Sequence, residues 1–332
     1  MPQAARMIQI KVADRTIRAR LMEEENPEVV KLVCAQLPLR SFALHTNVSG
    51  QGLVLPTPIT YVGAGHMVDR HPGSIYLFAP GQSIVITYGD TKESAPVNRF
   101  AVVLKDDMRE LRAAGKSVFD STLATAQHSI VPAAVSICDD AENVRVTSSL
   151  GLPDAGPTKF TGGWKSVEAL FRHEAKRVLQ EEPDEVFASF AGFVPTGMGT
   201  GGNVLPVWMH TWCCLMTDGP STLYHFLRDS DLPSMTLPMM RDLTRYHLLQ
   251  PFNHFEFLAD LGLPKFKAWG KMYSSALADL ESLEEYKQLT AALLTLVNVY
   301  LRRVQSRFPF HLGRAFPRVT KDEILKLSGL CY

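Results

Sequence analysis

Pro72–Val103, PGSIYLFAPGQSIVITYGDTKESAPVNRFAVV, holds two Pro-Gly pairs eight residues apart, and a β-rich run follows each. Pro presets the turn dihedral and Gly accepts positive φ, so each pair punctuates the chain between strands. Ser74–Phe78, Ser83–Tyr88 and Asn98–Leu104 are rich in Ile, Val, Tyr and Phe, which suit a pleated, half-buried surface. Ile84, Ile86 and Tyr88 point to one face of the middle strand, Val85 and Thr87 to the other. Apolar residues on both faces of short, turn-linked strands predict a curled, closed sheet, a small β-barrel.

The same reading extends outward. Met7–Val12 and Thr16–Leu21 are strand candidates joined at Asp14-Arg15. In EEENPEVVKLVCAQLP, Asn26 is a candidate N-cap and Pro27 suits the first helical position; Val29, Val30, Val33 and Leu37 form the stripe, and Pro38 ends it. From Arg40 alternation returns, with Phe42, Leu44 and Val48 on one face and Ala43, His45 and Asn47 on the other. A small, polar face opposite a greasy one suits a barrel lining. Gly50–Leu55 and Ile59–Val62 continue the β pattern, Gly63–Gly73 is a loop, and the β module closes near Lys105.

After Asp106 the periodicity changes. Asp107–Ala114 and Ser117–His128 are helical, Ile130–Cys138 is apolar but ambiguous, and Gly151–Gly163 is a Gly/Pro/Asp-rich connector. Ser166–Gln180 is amphipathic. Ser282 and Glu285 form a capping box before a long helix, and Thr320 and Glu323 repeat it near the end. The predicted class is α+β, with a β-barrel over 1–107, a helical and irregular connector over 108–163, and a helical bundle over 164–332.

Composition bounds the partners. The 332 residues carry 34 Lys plus Arg against 34 Asp plus Glu, so the formal charge of zero gives no signal for nucleic acid. No apolar run reaches membrane-spanning length and the N-terminus has no signal-peptide core, so no membrane partner is expected. Five cysteines without framework spacing fit a reducing, cytoplasmic setting. Homo-oligomerisation stays open.

Several motifs are weaker than they look. Gly197–Gly202, GMGTGG, satisfies G-x-G-x-x-G, but Pro195 interrupts the approach and Asp218 follows too closely for a helix and a strand between them. A flexible glycine loop reads better than a dinucleotide site. His210, Cys213 and Cys214 lack a second pair at ligand spacing, so no metal site is expected. His66 and His71 flank Asp69-Arg70 in one loop, which suits a ligand site. His45 on the small, polar strand face has two readings, a functional imidazole or a satisfied barrel histidine. Gly-x-Ser-x-Gly and His-Glu-x-x-His are absent.

The blocks EENPEVVKLVCAQLP, FALHTNVSGQG, PGSIYLFAPGQSIVITYG and APVNRFAVV resemble a cyclophilin-like β-barrel. Its pairing with a long helical second half resembles the cucumopine and mikimopine synthases, an opine-forming family. The resemblance implies a redox-neutral Pictet–Spengler condensation of L-histidine with 2-oxoglutarate and no cofactor. Such a reaction needs cations for three carboxylates, an acid to release water and a base to take the ring proton. The catalytic candidates are His45, Glu23, Glu25, His66 and Tyr88. Arg70, His71, Tyr76 and Lys159 are the candidates for substrate binding, with Trp208 and His210 roofing the site. A reductive NAD(P)H-dependent opine dehydrogenase and a cyclophilin-like peptide- or ligand-binding protein are the alternatives. The Phe-His-Arg run of an active cyclophilin is missing from the barrel half.

Overall fold

The computed structural model describes residues 6–46, 49–91, 93, 95–122, 129–138, 163–190, 218–249, 255, 258–259 and 263–307. Eight strands close into a barrel: β1 (Met7–Val12), β2 (Arg15–Leu21), β3 (Leu39–His45), β4 (Gly50–Pro56), β5 (Ser74–Phe78), β6 (Ser83–Thr91), β7 (Arg99–Val103) and β8 (Val131–Ile137). Their order around the barrel is β1-β2-β7-β5-β6-β4-β3-β8, with every ladder antiparallel. Ile8, Ile10, Ile17, Leu53, Ile75 and Ile86 are all fully buried, and alternation places them together in the lumen.

The first seven strands lie where turn residues and alternation predict them, although Ile59–Val62 belongs to no strand. The eighth corrects the expected end of the barrel. Val131–Ile137 pairs with β1 on one side and β3 on the other, so the barrel continues past residue 107 into the stretch read as a connector. A short apolar run has no period to separate strand from buried helix, and Pro132 weakens the strand reading.

Helix α1 (Pro27–Cys34) starts at its proline as predicted. Asn26 does not cap it through its side chain. Its buried amide instead donates to the carbonyls of His66 and Arg99 and accepts from the His66 N–H, tying the 61–66 loop to β7. Helix α2 (Met108–Thr122) is one element where the sequence suggests two. Gly115, which falls in the gap between the two expected helices, lies inside the observed one and against the Tyr88 ring; a Cβ there would sit 2.4 Å from a ring carbon. Close ring packing offsets the ~1 kcal/mol that glycine costs a helix. Because α2 touches β2 on one arc and β3, β4 and β6 on the other, it lies across a barrel mouth.

The helical region contains α3 (Gly163–Gln180), α4 (Asp184–Phe190), α5 (Asp218–Asp229), α6 (Leu237–Leu248), α7 (Lys265–Ala278) and α8 (Leu283–Arg307). The Ser282 hydroxyl accepts from the Glu285 N–H, as the capping signature predicts, while the Glu285 carboxylate takes the Glu281 N–H. Leu289, Leu293, Leu294, Leu296, Val297, Tyr300 and Val304 are buried around the whole circumference of α8, so it is the bundle's central helix. It packs against α3, α4, α5 and α7. No helix among the described residues is long and apolar enough to cross a membrane.

Barrel and bundle share one apolar core. On the barrel's outer face, strand register aligns Leu44 with Val54, Val54 with Val85, and Val85 with Tyr76; Phe42 lies two residues before Leu44. The Arg303 guanidinium stacks 3.9 Å above the Phe42 ring and donates to the Val178 and Leu179 carbonyls, capping α3. Burial pushes the Arg303 guanidinium down to about 10. Gln82, in the β5–β6 turn, adds a polar lock: its amide nitrogen donates to Thr60 and Thr295, and its oxygen accepts from Asn298.

Candidate active site

The outer stripe that begins under Arg303 ends at Tyr76, and there the chemistry concentrates. Arg70 arrives from the 61–73 loop, which Val68 ties to Val97 by a reciprocal pair of backbone hydrogen bonds. Its guanidinium stands 5.4 Å over the Tyr76 ring. One Nη donates to the Glu93 carboxylate (2.5 Å) and to the Tyr76 hydroxyl (3.3 Å), and the other donates to the Ala95 carbonyl (2.7 Å). Ser49 donates from the β3–β4 turn to the second Glu93 oxygen. Four side chains from four segments thus converge on one rim of the barrel.

Their exposures differ in a useful way. The Arg70 side chain is 6% exposed and that of Glu93 is 46% exposed, so the cation is sheathed and the carboxylate faces outward. Arg70 Nε is buried and has no partner among the described residues. Burial pushes the Glu93 carboxyl up, but hydrogen bonds from Ser49 and Arg70 and the charge of Arg70 outweigh it and hold the group below its usual value. Burial likewise raises the Tyr76 phenol; the Arg70 charge only partly opposes it. At neutral pH the rim therefore presents an ionised carboxylate beside a protonated hydroxyl, a base and an acid held by one cation.

The other sequence candidates lie elsewhere. His45 and Tyr88 share the lumen side, because His45 pairs with Leu53 and Tyr88 continues the Ile84–Ile86 face. His45 Nδ1 is 2.7 Å from the Thr46 carbonyl, which only accepts, so Nδ1 carries the proton and Nε2 accepts from the Tyr88 hydroxyl at 2.7 Å. Phe119 of α2 packs edge-on against the imidazole at 5.2 Å. Burial lowers the His45 pKa. His45 is thus hydrogen-bonded at both ring nitrogens and half-buried beneath α2, on the opposite face of the sheet from Tyr76. Glu23 pairs with Arg6 in solvent. Glu25 makes a two-bond pair with Arg99 and is half-buried. His66 and His71 are exposed and bond through their backbones, His66 to Asn26 and His71 to Ser74 and Thr87.

Of the sequence candidates, then, Arg70 meets Tyr76 at the rim and His45 meets Tyr88 on the lumen side. The partners of the rim pair, Ser49 and Glu93, are missed by sequence reasoning, because each lies in a polar connection with no motif and finds the other only across the barrel rim. The one available signal is a lone acid closely following the longest strand, which is weak. Lys159, Trp208, His210 and the glycine run 197–202 lie outside the described residues. Among the described residues no group of three His, Cys, Asp or Glu side chains is arranged to hold a metal ion.

Comparison with known proteins agrees with this architecture. Residues 164–306 match the family model of the cucumopine synthase C-terminal helical bundle domain. The match falls on the helical half, whose pairing with a cyclophilin-like barrel carries the resemblance to that family. The structure of McbB in complex with tryptophan aligns with a TM-score of 0.77 and 22% sequence identity, covering 94% of this chain and 100% of that chain. At that identity the likeness establishes a shared fold, barrel and bundle together. The solution structure of the hypothetical protein AF2241 from Archaeoglobus fulgidus aligns over 41% of this chain and 98% of its own, with 16% identity and a TM-score of 0.30, and carries no argument. No curated protein matches the sequence.

Proposed function

We propose that this protein is a condensing enzyme of the Pictet–Spengler type. It joins L-histidine to 2-oxoglutarate and gives cucumopine or its stereoisomer mikimopine. The observation that carries the reading is the Glu93–Arg70–Tyr76 rim cluster, an ionised carboxylate beside a protonated phenol, on a barrel whose partner bundle matches the cucumopine synthase model. McbB, with the same fold, holds tryptophan. Tryptophan and histidine share the needed pattern, an α-amine two carbons from a nucleophilic aromatic ring.

The steps balance without electron transfer. The histidine amine adds to the keto carbon of 2-oxoglutarate, and the hydroxyl of the resulting carbinolamine leaves as water once it is protonated, which gives the iminium; the Tyr76 hydroxyl is the donor at hand. The imidazole ring carbon then attacks the iminium carbon, closing the new C–C bond. A base removes the proton from that ring carbon and aromaticity returns. Glu93 takes this role, since it is ionised, outward-facing and held at both oxygens. Arg70 already spends both terminal nitrogens on Glu93, Tyr76 and Ala95, so its first task is to hold the base. Three of its five N–H donors are used in this way, which leaves the second hydrogen of the Ala95-bound Nη and the buried Nε–H as the donors for a substrate carboxylate.

Purified protein incubated with L-histidine and 2-oxoglutarate, without nicotinamide, yields a product whose mass is the sum of the two less one water. A product two hydrogens heavier, formed only as NADH or NADPH is consumed, overturns this reading in favour of a reductive opine dehydrogenase. No product with either mass overturns the choice of substrates.

A further inference from the structure

The rim cluster contains a side chain that neither the family resemblance nor the condensation chemistry calls for. Ser49 lies between the end of β3 and the start of β4, and its location is built by the residues around it. Gly50 adopts φ +112°, and a Cβ there would stand 2.4 Å from the Asp90 carbonyl oxygen, so only glycine lets the turn approach the end of β6 this closely. The ladder is irregular at this point: Gly50 is opposite Thr91 while Gly52 is opposite Thr87, a bulge between the two glycines. Thr46 closes the turn, its N–H bonding the Gly52 carbonyl and its hydroxyl the Gly50 carbonyl. These features bring the Ser49 hydroxyl to Glu93, two residues beyond the end of β6.

We propose that Ser49 is a positioning residue for Glu93: its hydroxyl, delivered by the Gly50 bulge, holds one carboxylate oxygen while Arg70 holds the other, fixing the plane in which Glu93 meets the substrate. The role rests on the reading of Glu93 as the base. A carboxylate on an exposed connection rotates freely about its last torsions; two donors on different oxygens remove that freedom and leave the outward lone pairs presented. The same two donors favour the charged form, and the Ser49 hydrogen bond is among the causes that hold the Glu93 carboxyl low.

The test uses the full chain and two independent readouts. Carboxyl-labelled glutamate is followed by carbon NMR against pH in wild type, Ser49→Ala and Ser49→Thr, with Glu93→Gln identifying the resonance. The expected result is a Glu93 titration at higher pH in Ser49→Ala and at the wild-type pH in Ser49→Thr, whose hydroxyl restores the bond. In the mass-detected condensation assay, the acid limb of kcat/KM moves the same way. On that limb the rate falls about tenfold, as expected for one lost hydrogen bond to a charged group, and KM for the keto acid stays unchanged. Superposable Glu93 titrations in wild type and Ser49→Ala overturn the proposal whatever the substrates prove to be. Full turnover by Glu93→Gln overturns the assignment of the base, and the positioning role with it.

Discussion

Replacing Gln82 with alanine tests how the bundle is seated on the barrel. Gln82 is buried, lies in the turn between β5 and β6, and has φ +39°, the left-handed region where a residue with a Cβ is strained. Its amide makes two bonds to α8, donating to Thr295 at 2.9 Å and accepting from Asn298 at 3.0 Å, and a third to Thr60 at 2.9 Å. Truncation to alanine keeps the backbone strain and removes all three. Thr295 still donates to Ala291 and Asn298 still donates to the Pro80 carbonyl, so each loses one partner rather than all of them. At ~1 kcal/mol for each of the two weakened α8 groups and about as much again for the vacated space, the loss is ~3 kcal/mol. Glycine at the same position loses the same bonds but adopts positive φ without strain, so it recovers ~1 kcal/mol. At ~2–4 °C per kcal/mol for a chain of this size class, Gln82→Ala melts about 6–12 °C below wild type, with Gln82→Gly in between. Thermal unfolding followed by far-UV circular dichroism ranks the three. An alanine variant within ~1 kcal/mol of wild type refutes the lock, since bonds worth that little do not seat a domain. A glycine variant less stable than the alanine variant refutes the strain argument.

Two further outcomes follow from the titrating groups. Arg70→Met removes the main charged partner of Glu93, so the acid limb of the pH–rate profile moves to higher pH and kcat/KM near neutrality falls by about ten- to a hundredfold; an unchanged profile with an unchanged KM for the keto acid refutes both proposed tasks of Arg70. Burial lowers the His45 pKa below its unfolded value near 6.5, so below that pH the unfolded chain binds a proton that the native barrel resists. This contribution is fully present above about pH 6.5 and is lost as pH falls from there toward the folded pKa. Melting curves at several pH values for wild type and His45→Gln check it: equal acid-side slopes refute the assignment.

Much of the barrel was legible because its signals are local. The Pro-Gly pairs at 72–73 and 80–81, the alternation in β1–β7, the proline-started α1 and the Ser282–Glu285 capping box each act within a few residues, and each appears in the structure. Gly115 misled for the opposite reason. Its value comes from the Tyr88 ring, which belongs to a strand more than 20 residues earlier, and local propensity shows only a helix breaker. Asn26 misled likewise: it has the residue type of a cap, but its partners are a loop and a strand far along the chain.

The sequence by itself determined the positions of β1–β7, of α1 and of the long helix after Ser282, and which of their faces are apolar, because those depend on dihedral preference and on periods of two and 3.6 residues. It also placed Arg70 and Tyr76 among the substrate-binding candidates. Only the tertiary structure decided that β8 completes the ring, that His45 and Tyr88 lie on the lumen side beneath α2, and that Glu93 and Ser49 join Arg70 at the rim. Closure of the barrel supplies the physical reason. Antiparallel register makes neighbours of residues 44 and 23 positions apart, and once the ring is shut each side chain is committed to the lumen or the outer face.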